Sequence, residues 1–391
     1  MNIIGKKLLI SICLFLYVLI ELSQVLNKIM PIIVRHLIAY VFFCIPLFLY
    51  NKKTIKLQIL KVPFFCILFY CILFLATGRA ISFFNILNFF VSTTILVALS
   101  SKKDIKQNKY FISSGIILYL LNICVTIFEY KNQVNLFYFD MNKQWIAENA
   151  YYRFRSTGIW GHPLYSALIH GACMIFILMS DLKKQIKLIL WFLGLFTIFL
   201  YDARAATIAV VLSSGYYIYK EGFFKIKNLI GIIFLCSLFY VCFDYISQSD
   251  IGGKLFDVQT KSFNDSSSST RLIAIQIFFD LNPENLLFGV DDQFEYVRKR
   301  YGIICAENSF VGLTLIYGLP LAIFIFYLQS RNIIWILKEN SCNFKTLIIL
   351  YLLLSGLFNQ ALVDYSVWNT FILMYMFFCF NKRKIKMQNN L

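Results

Sequence analysis

Residues 163–220 decide the fold, because they read PLYSALIHGACMIFILMS (163–180), DLKKQIK (181–187), LILWFLGLFTIFL (188–200), YDARAAT (201–207) and IAVVLSSGYYIYK (208–220). Three apolar runs alternate with two polar connections, one rich in lysine and the other holding an acid and an arginine. A helix that crosses the hydrocarbon core of a bilayer needs about 20 apolar residues. The stretch therefore predicts three membrane-crossing helices whose connections lie on opposite sides of the bilayer.

The same pattern extends over the whole chain of 391 residues, which is 59% hydrophobic and contains 41 Phe and 24 Tyr. This composition lies outside the soluble range and predicts an all-α, polytopic helical membrane protein with about 12 transmembrane helices. The candidate spans cover about 8–26, 32–50, 62–78, 81–100, 110–130, 163–181, 187–201, 204–220, 227–246, 308–329, 345–363 and 366–381.

The positive charges are divided between the two sets of connections. Of the 27 lysines, 21 fall in one alternate set, and 8 of the 10 arginines fall in the other. Lysine-rich short loops stay in the cytoplasm, so both termini are predicted to be cytoplasmic. Arginines on the outer side need another reason, and the planar guanidinium pairs well with phosphate. The pattern indicates an anionic, phosphorylated ligand at the outer face.

The net charge of +17 does not indicate nucleic acid, because the lysines form short clusters between apolar runs and no continuous basic face. Anionic membrane lipid is the partner that such clusters fit. Most of the 11 cysteines lie inside apolar segments, and neither a disulfide framework nor a zinc spacing is present. No metal and no cofactor are predicted.

Residues 1–391 are predicted to form a single transmembrane domain in which two outer connections are long. They cover about 131–162 and about 247–307, and long connections in compact proteins are usually functional or disordered. The second holds the flexible NDSSSST and then RLIAIQIFFDLN, whose length suits a helix at the membrane surface better than a span. An outward cap with short helices is therefore expected.

The first candidate motif is RSTGIWGHP (155–163), where the first long loop enters the sixth span. Arg155 is expected near the interface, Gly158 and Gly161 are expected to let the backbone approach a ligand, and Pro163 suits a first helical turn. His162 is a weaker candidate. The alternative is an ordinary entry into a helix with a snorkelling arginine.

The next arginines lie in the turn YDARAAT and in the second long loop. Asp202 and Arg204 are ionisable groups close to the hydrocarbon, which makes them candidates for function, although a simple ion pair between them is the alternative. Arg271 is expected to open the surface helix and to point at the same interfacial cavity as Arg155 and Arg204. The basic residues 298–300 fit a headgroup-binding face better.

The last motif is CAENSFVGLTLIYGLP (305–320), which enters the tenth span from outside. Glu307 and Asn308 are expected at the first turn, where asparagine caps well and the dipole favours a carboxylate. Capping alone explains them. A carboxylate beside a cationic cavity is also what a general base for a sugar hydroxyl would be.

Taken in order, RSTGIWGHP, YDARAAT, STRLIAIQIF and AENSFVGLTLIYGLP resemble the O-antigen ligase and O-antigen polymerase superfamily over residues 150–320. The last motif resembles the family's His-Asn helix start with a glycine eleven residues after the histidine position, here Glu307, Asn308 and Gly318. Glu307 departs from the histidine typical of the ligase branch. An acidic residue there is similar to what many repeat-unit polymerases have.

The resemblance implies a metal-independent glycosyltransferase, a polysaccharide repeat-unit polymerase of the bacterial inner membrane whose active site faces the periplasm or exterior. It would take glycan linked to polyprenyl diphosphate, a substrate carrier, with Arg204 and Arg271 on the diphosphate, Arg155 as a third contact and Glu307 as base. A flippase and a chain-length regulator are implied as partners. The alternatives are a ligase that moves glycan to a lipid or protein acceptor, a flippase for lipid-linked oligosaccharide, and a structural or sensing protein.

Overall fold

The computed structural model describes residues 3–26, 29–50, 108–138, 154–220, 266–303, 305–337, 342–356 and 361–379, with ten isolated positions between 68 and 99. The predicted span 227–246 and most of 62–78 and 81–100 lie outside the described residues.

Within the described part, the chain is all-helical and forms thirteen α-helices without a strand, which confirms the predicted class. A π-helical turn, Val18–Leu22, and two 3₁₀ turns, Gly158–Trp160 and Ala361–Val363, complete the elements. The helices are α1 Ile3–Tyr17, α2 Ile32–Tyr50, α3 Tyr110–Asn132, α4 Pro163–Met179, α5 Lys184–Leu200, α6 Arg204–Lys220, α7 Ser266–Asp280, α8 Pro283–Phe288, α9 Gln293–Tyr301, α10 Ser309–Tyr317, α11 Leu319–Ile336, α12 Cys342–Gly356 and α13 Tyr365–Cys379.

Helix α4 lies at the centre of the bundle. It is apolar on all sides, and every residue from Ser166 to Met179 is buried. Helices α5, α6, α12 and α13 all pack against it. A helix that is hydrophobic all round needs neighbours on every face, and α4 has them.

Two described helices, Tyr110–Asn132 and Leu319–Ile336, are long and apolar enough to cross a membrane. Four shorter apolar helices accompany them, namely Ile32–Pro46, Pro163–Met179, Ala205–Tyr217 and Tyr365–Cys379. The count of twelve spans and the orientation stay predictions. The outer faces of several helices are apolar as well, with exposed fractions of 64% at Leu37, 61% at Ile189 and 54% at Leu212.

The long connection before α10 contains the helices α7, α8 and α9, which form a cap with a small core of its own. That core also takes in residues of α10 and consists of Ala274, Ile277, Leu281, Val290, Val297, Ile303, Ala306, Val311 and Leu315. Helix α7 begins at Ser266, so the expectation that Arg271 opens this helix is wrong.

The predicted tenth span, 308–329, is two helices, and the break falls at Gly318, where φ is +81°. A Cβ atom at Gly318 would overlap the carbonyl oxygen of Leu287 and would stand 2.9 Å from the amide nitrogen of Phe288. Nearby, the amide of Val290 donates to the carbonyl of Leu315 at 2.7 Å. The break is therefore the place where the cap packs directly on the backbone of the bundle.

We expect Gly318→Ala to lower the thermal unfolding temperature of the detergent-solubilised protein clearly more than Gly302→Ala. Both glycines have positive φ, so both alanine variants are strained. Gly302 lies in the left-handed helical region, where a side chain costs about 1–2 kcal/mol. Gly318, with ψ of 158°, lies in a region that almost only glycine adopts, where the cost is about 1–3 kcal/mol. Gly302 has open space around its Cβ position, whereas Gly318 faces backbone atoms, and overpacking adds about 1–3 kcal/mol. Equal shifts for the two variants would contradict the close packing of cap and bundle.

Candidate functional site

A buried carboxylate at the end of α3 anchors the first candidate motif. Glu129 is 0% exposed and accepts five hydrogen bonds, which come from the amides of Leu136, Phe137, Thr157 and Gly158 and from the Thr157 hydroxyl. The shortest joins the Thr157 amide to Oε2 at 2.7 Å. A buried charge is tolerated only when it is well hydrogen-bonded, so Glu129 determines where residues 156–158 lie.

Arg155, directly before this anchored segment, holds the turn of the second motif. Its Nε donates to the carbonyl of Tyr201 at 3.0 Å, and its Nη2 donates to the carbonyl of Asp202 at 3.2 Å. Asp202 has φ of 49° and an exposed fraction of 7%. A guanidinium carries five N–H donors, and these bonds use two of them.

A buried polar network underlies the turn. The hydroxyl of Tyr201 accepts from Nδ2 of Asn122 at 2.7 Å and lies 2.8 Å from the Thr126 hydroxyl. Asn122 also contacts the ring of His170 on α4 at 3.2 Å. Helices α3, α4 and α5 therefore meet below the site through side chains that satisfy one another.

The space beside the two glycines of the first motif is filled by protein atoms, and their approach to a ligand stays a prediction. A Cβ atom at Gly158 would stand 2.6 Å from Oδ1 of Asn122, and one at Gly161 would overlap the side chain of Gln24. Both glycines have positive φ and allow the chain to pack tightly on neighbouring helices.

His162 is the N-cap of α4, and Pro163 is the first helical residue, as its sequence position predicted. The Nδ1 atom of His162 accepts a hydrogen bond from the amide of Leu164 at 3.2 Å. Burial, with Arg155 nearby, lowers the pKa of His162 to about 3. The ring is therefore neutral, with its proton on Nε2, and it can donate a hydrogen bond there.

Glu307 and Asn308 lie at the start of α10, on the same side of the bundle. The Asn308 side chain accepts from the amides of Phe310 and Val311 at 2.9 and 3.1 Å, so it caps the helix. Glu307 is close enough to Arg155 to interact electrostatically. Burial lowers the pKa of Arg155, and the charges of Asp202 and Glu307 oppose that shift.

A second carboxylate near the site, Asp364, did not emerge from the sequence. It precedes α13 and accepts from the amide of Ser366 at 2.8 Å. Burial raises its pKa, and hydrogen bonds from Ser366 oppose the rise. Its charge also acts on Tyr165, whose ring packs at a tilt against the ring of His162 with centroids 4.8 Å apart. In the sequence, Asp364 is an acid between two predicted spans, which is the same pattern that makes Asp202 a candidate.

These groups lie close together at the end of the bundle where α4, α6, α10 and α13 begin, and this cluster is called the recess below. The amide of Leu362 donates to the Ser309 hydroxyl at 3.1 Å, which joins the starts of α10 and α13. Helix N-termini carry partial positive charge, so their convergence favours an anion. All of these groups are partly exposed: Arg155, His162, Tyr165, Cys305, Glu307 and Asp364.

For Arg204 and Arg271, the two remaining candidate arginines, the structure describes only the backbone position. Arg204 is the first residue of α6, two positions after the carbonyl that Arg155 binds, and Arg271 lies in the second turn of α7. Their side chains lie outside the described residues. The basic residues 298–300 on α9 are exposed, and the Arg300 guanidinium rests on the ring of Tyr296, 4.8 Å from its centroid.

Among the described residues, no group of three or more His, Cys, Asp or Glu side chains is arranged to hold a metal ion. No protein-family model matches the chain, and a search of curated proteins found no match. The arrangement can bind an anion beside a carboxylate that accepts a proton from a hydroxyl group.

We expect Glu129→Gln to destabilise the protein by at least about 2 kcal/mol, because an amide nitrogen would face N–H donors that then lack an acceptor. The measurement is thermal unfolding in detergent. Glu295→Gln, at an exposed carboxylate on α9, is the matched control and is expected to change little. An unfolding temperature of Glu129→Gln equal to that of the control would contradict the anchoring role.

We expect His162 to make the protein less stable as the pH falls from about 6.5, the pKa of an unfolded histidine, toward 3. The unfolded chain takes up a proton in this window and the folded recess does not, so the stability is full above the window and is lost below it. Replacing His162 with asparagine keeps a capping side chain and removes the titration. Unfolding temperatures measured between pH 7 and pH 5 should fall less steeply in His162→Asn, and identical profiles would contradict the neutral histidine.

Proposed function

We propose that the protein is a polysaccharide repeat-unit polymerase of the bacterial cytoplasmic (inner) membrane, with its active site open to the periplasm or exterior. It would transfer a growing O-antigen, capsule or exopolysaccharide glycan from polyprenyl diphosphate to a new carrier-linked repeat unit. The enzyme would be a metal-independent glycosyltransferase. A flippase that delivers repeat units and a chain-length regulator would be its partners.

The observation that carries the proposal is the meeting of Arg155, His162, Glu307 and Asp364 in one recess, although they come from distant parts of the chain. Cationic groups and helix starts there favour an anion, and carboxylates stand beside them. A polyprenyl diphosphate needs a site that binds an anion, and a sugar hydroxyl that reacts with it needs a carboxylate to accept its proton.

The proposed reaction breaks the bond between the anomeric carbon and the diphosphate oxygen and forms a bond from that carbon to the acceptor hydroxyl oxygen. The hydroxyl proton goes to Glu307, and polyprenyl diphosphate leaves with the bonding electrons. Arg204 and Arg271, with Arg155 as a third contact, would neutralise the charge that develops on the diphosphate. Asp202 lies in the turn that precedes Arg204, the neutral His162 would donate to a glycan or phosphate oxygen, and Asn308 caps the helix behind Glu307.

The outer surface of the bundle supports a membrane location. Large apolar side chains are exposed on α2, α5 and α6, and soluble monomers rarely expose so many. On the cap helix α7, the exposed residues Leu272, Ile275 and Phe279 share one face, while Ala274 and Ile277 are buried. This arrangement fits a helix that lies along the lipid surface above the recess.

We expect Arg204→Lys to shorten the glycan and to lower the polymerisation rate by about 10²-fold, because lysine keeps the charge and loses the bidentate fork. The measurement is polymer length and rate with purified protein and carrier-linked repeat unit. Arg298→Lys, at an exposed arginine outside the recess, is the matched control. Full polymer length in Arg204→Lys would count strongly against the assignment.

Surface glycan resolved by chain length, with and without the gene, separates the proposal from its alternatives. Loss of long chains with persistence of single units is the polymerase result. A ligase would instead leave long carrier-linked chains that never reach their acceptor, and a flippase would leave single units inside the cell.

A further inference from the structure

Arg35, in the first turn of α2, is a buried arginine at the recess end of the bundle. It has an exposed fraction of 7%, and its Nε atom has no hydrogen-bond partner. Within the described part of the chain, no hydrogen bond or ion pair engages its guanidinium. A buried N–H without an acceptor is costly, and a ligand that accepts a hydrogen bond from it would remove that cost.

The neighbouring charges are already engaged elsewhere. The Glu21 carboxylate, 2% exposed, contacts Nδ1 of His36 at 2.7 Å through both oxygens and accepts from the Tyr365 hydroxyl at 3.2 Å. This contact ties the start of α2 to the start of α13. Because His36 follows Arg35 and Tyr365 follows Asp364, it brings Arg35 to the side of Asp364.

In the recess, two arginines each have an acid within electrostatic range, Glu307 near Arg155 and Asp364 near Arg35. Tyr165 lies between them, close to Cys305 beside Glu307 on one side and to Asp364 on the other. Asp364 interacts electrostatically with Arg35, as Glu307 does with Arg155. We propose that Arg35 is the centre of a second anion subsite, which receives the diphosphate of the acceptor, the second carrier-linked substrate.

This inference rests on the proposed function. A repeat-unit polymerase holds two polyprenyl diphosphates at once, one that leaves and one that stays attached to the acceptor glycan. A single cationic cluster accommodates only the first. The fork of Arg35 supplies parallel donors for the second phosphate group, and Asp364 facing it limits how tightly the product is held.

The test is the number of diphosphate molecules bound per chain, measured by native mass spectrometry of the full protein in lipid nanodiscs with farnesyl diphosphate as the probe. The unchanged protein should bind about two per chain, and Arg35→Gln and Arg204→Gln about one each, because each removes one fork. Arg35→Lys should weaken one site by about 10-fold. Arg298→Gln is the control and should bind as the unchanged protein does.

Two further probes identify the source of the anion. Inorganic diphosphate should compete for both sites, and farnesol, which lacks the phosphates, should compete for neither. Competition by farnesol with equal strength would show a lipid site and would overturn the proposal. Arg35→Gln has to elute as the unchanged protein does in gel filtration, and Arg35→Lys provides a second variant that retains the charge if it does not.

The outcomes separate the two proposals. Binding of both molecules by Arg35→Gln with unchanged affinity, while Arg204→Gln loses one, would overturn the second subsite and leave the proposed function standing. Absence of any diphosphate binding by the unchanged protein would overturn both. Loss of one molecule in Arg35→Gln and in Arg204→Gln alike would support both.

Discussion

The buried carboxylate of Glu129 is the interaction on which the rest of the site depends. Its charge lies at the end of a helix long and apolar enough to cross a membrane, where burial would be prohibitive without donors. The backbone of residues 157 and 158 supplies two of the donors, together with the Thr157 hydroxyl and the amides that follow α3. The loop has to fold back onto α3 to satisfy this carboxylate.

The position of Arg155 follows from that constraint. Once residues 156–158 are bound to α3, the preceding guanidinium reaches the carbonyls of Tyr201 and Asp202 and orders the short turn between α5 and α6. The same segment leads through His162 into α4, which packs against most of the bundle. One carboxylate thus couples a loop, a turn and the central helix, and Arg204 begins the helix that follows the turn.

Local signals in the sequence predicted much of the fold. The apolar runs gave helices close to their observed bounds, and Pro163 and Asn308 mark the helix starts that their chemistry favours. The break at Gly318 was missed because Gly-Leu-Pro was counted as part of one apolar run, although glycine and proline close together indicate an interruption. The packing around the glycines at 158 and 161 could not be predicted, since the atoms that fill the space beside them come from α3 and from Gln24.

The candidate site was predictable only in part, because its parts meet through contacts between distant segments. Arg155 and Glu307 are 152 positions apart, and Asp364 and Arg35 further still, so no local pattern shows their proximity. Glu129 lies inside an apolar run, and its importance becomes visible only when its hydrogen-bond donors are known.

The central claim is that these separate segments form one outward recess that holds a polyprenyl diphosphate beside Glu307. An experimental map of the protein in nanodiscs with a non-hydrolysable polyprenyl diphosphonate tests this most directly. The account predicts phosphonate density within hydrogen-bond reach of Arg155 or Arg204, with the glycan end toward Glu307. Density elsewhere, or these side chains facing apart, would contradict it.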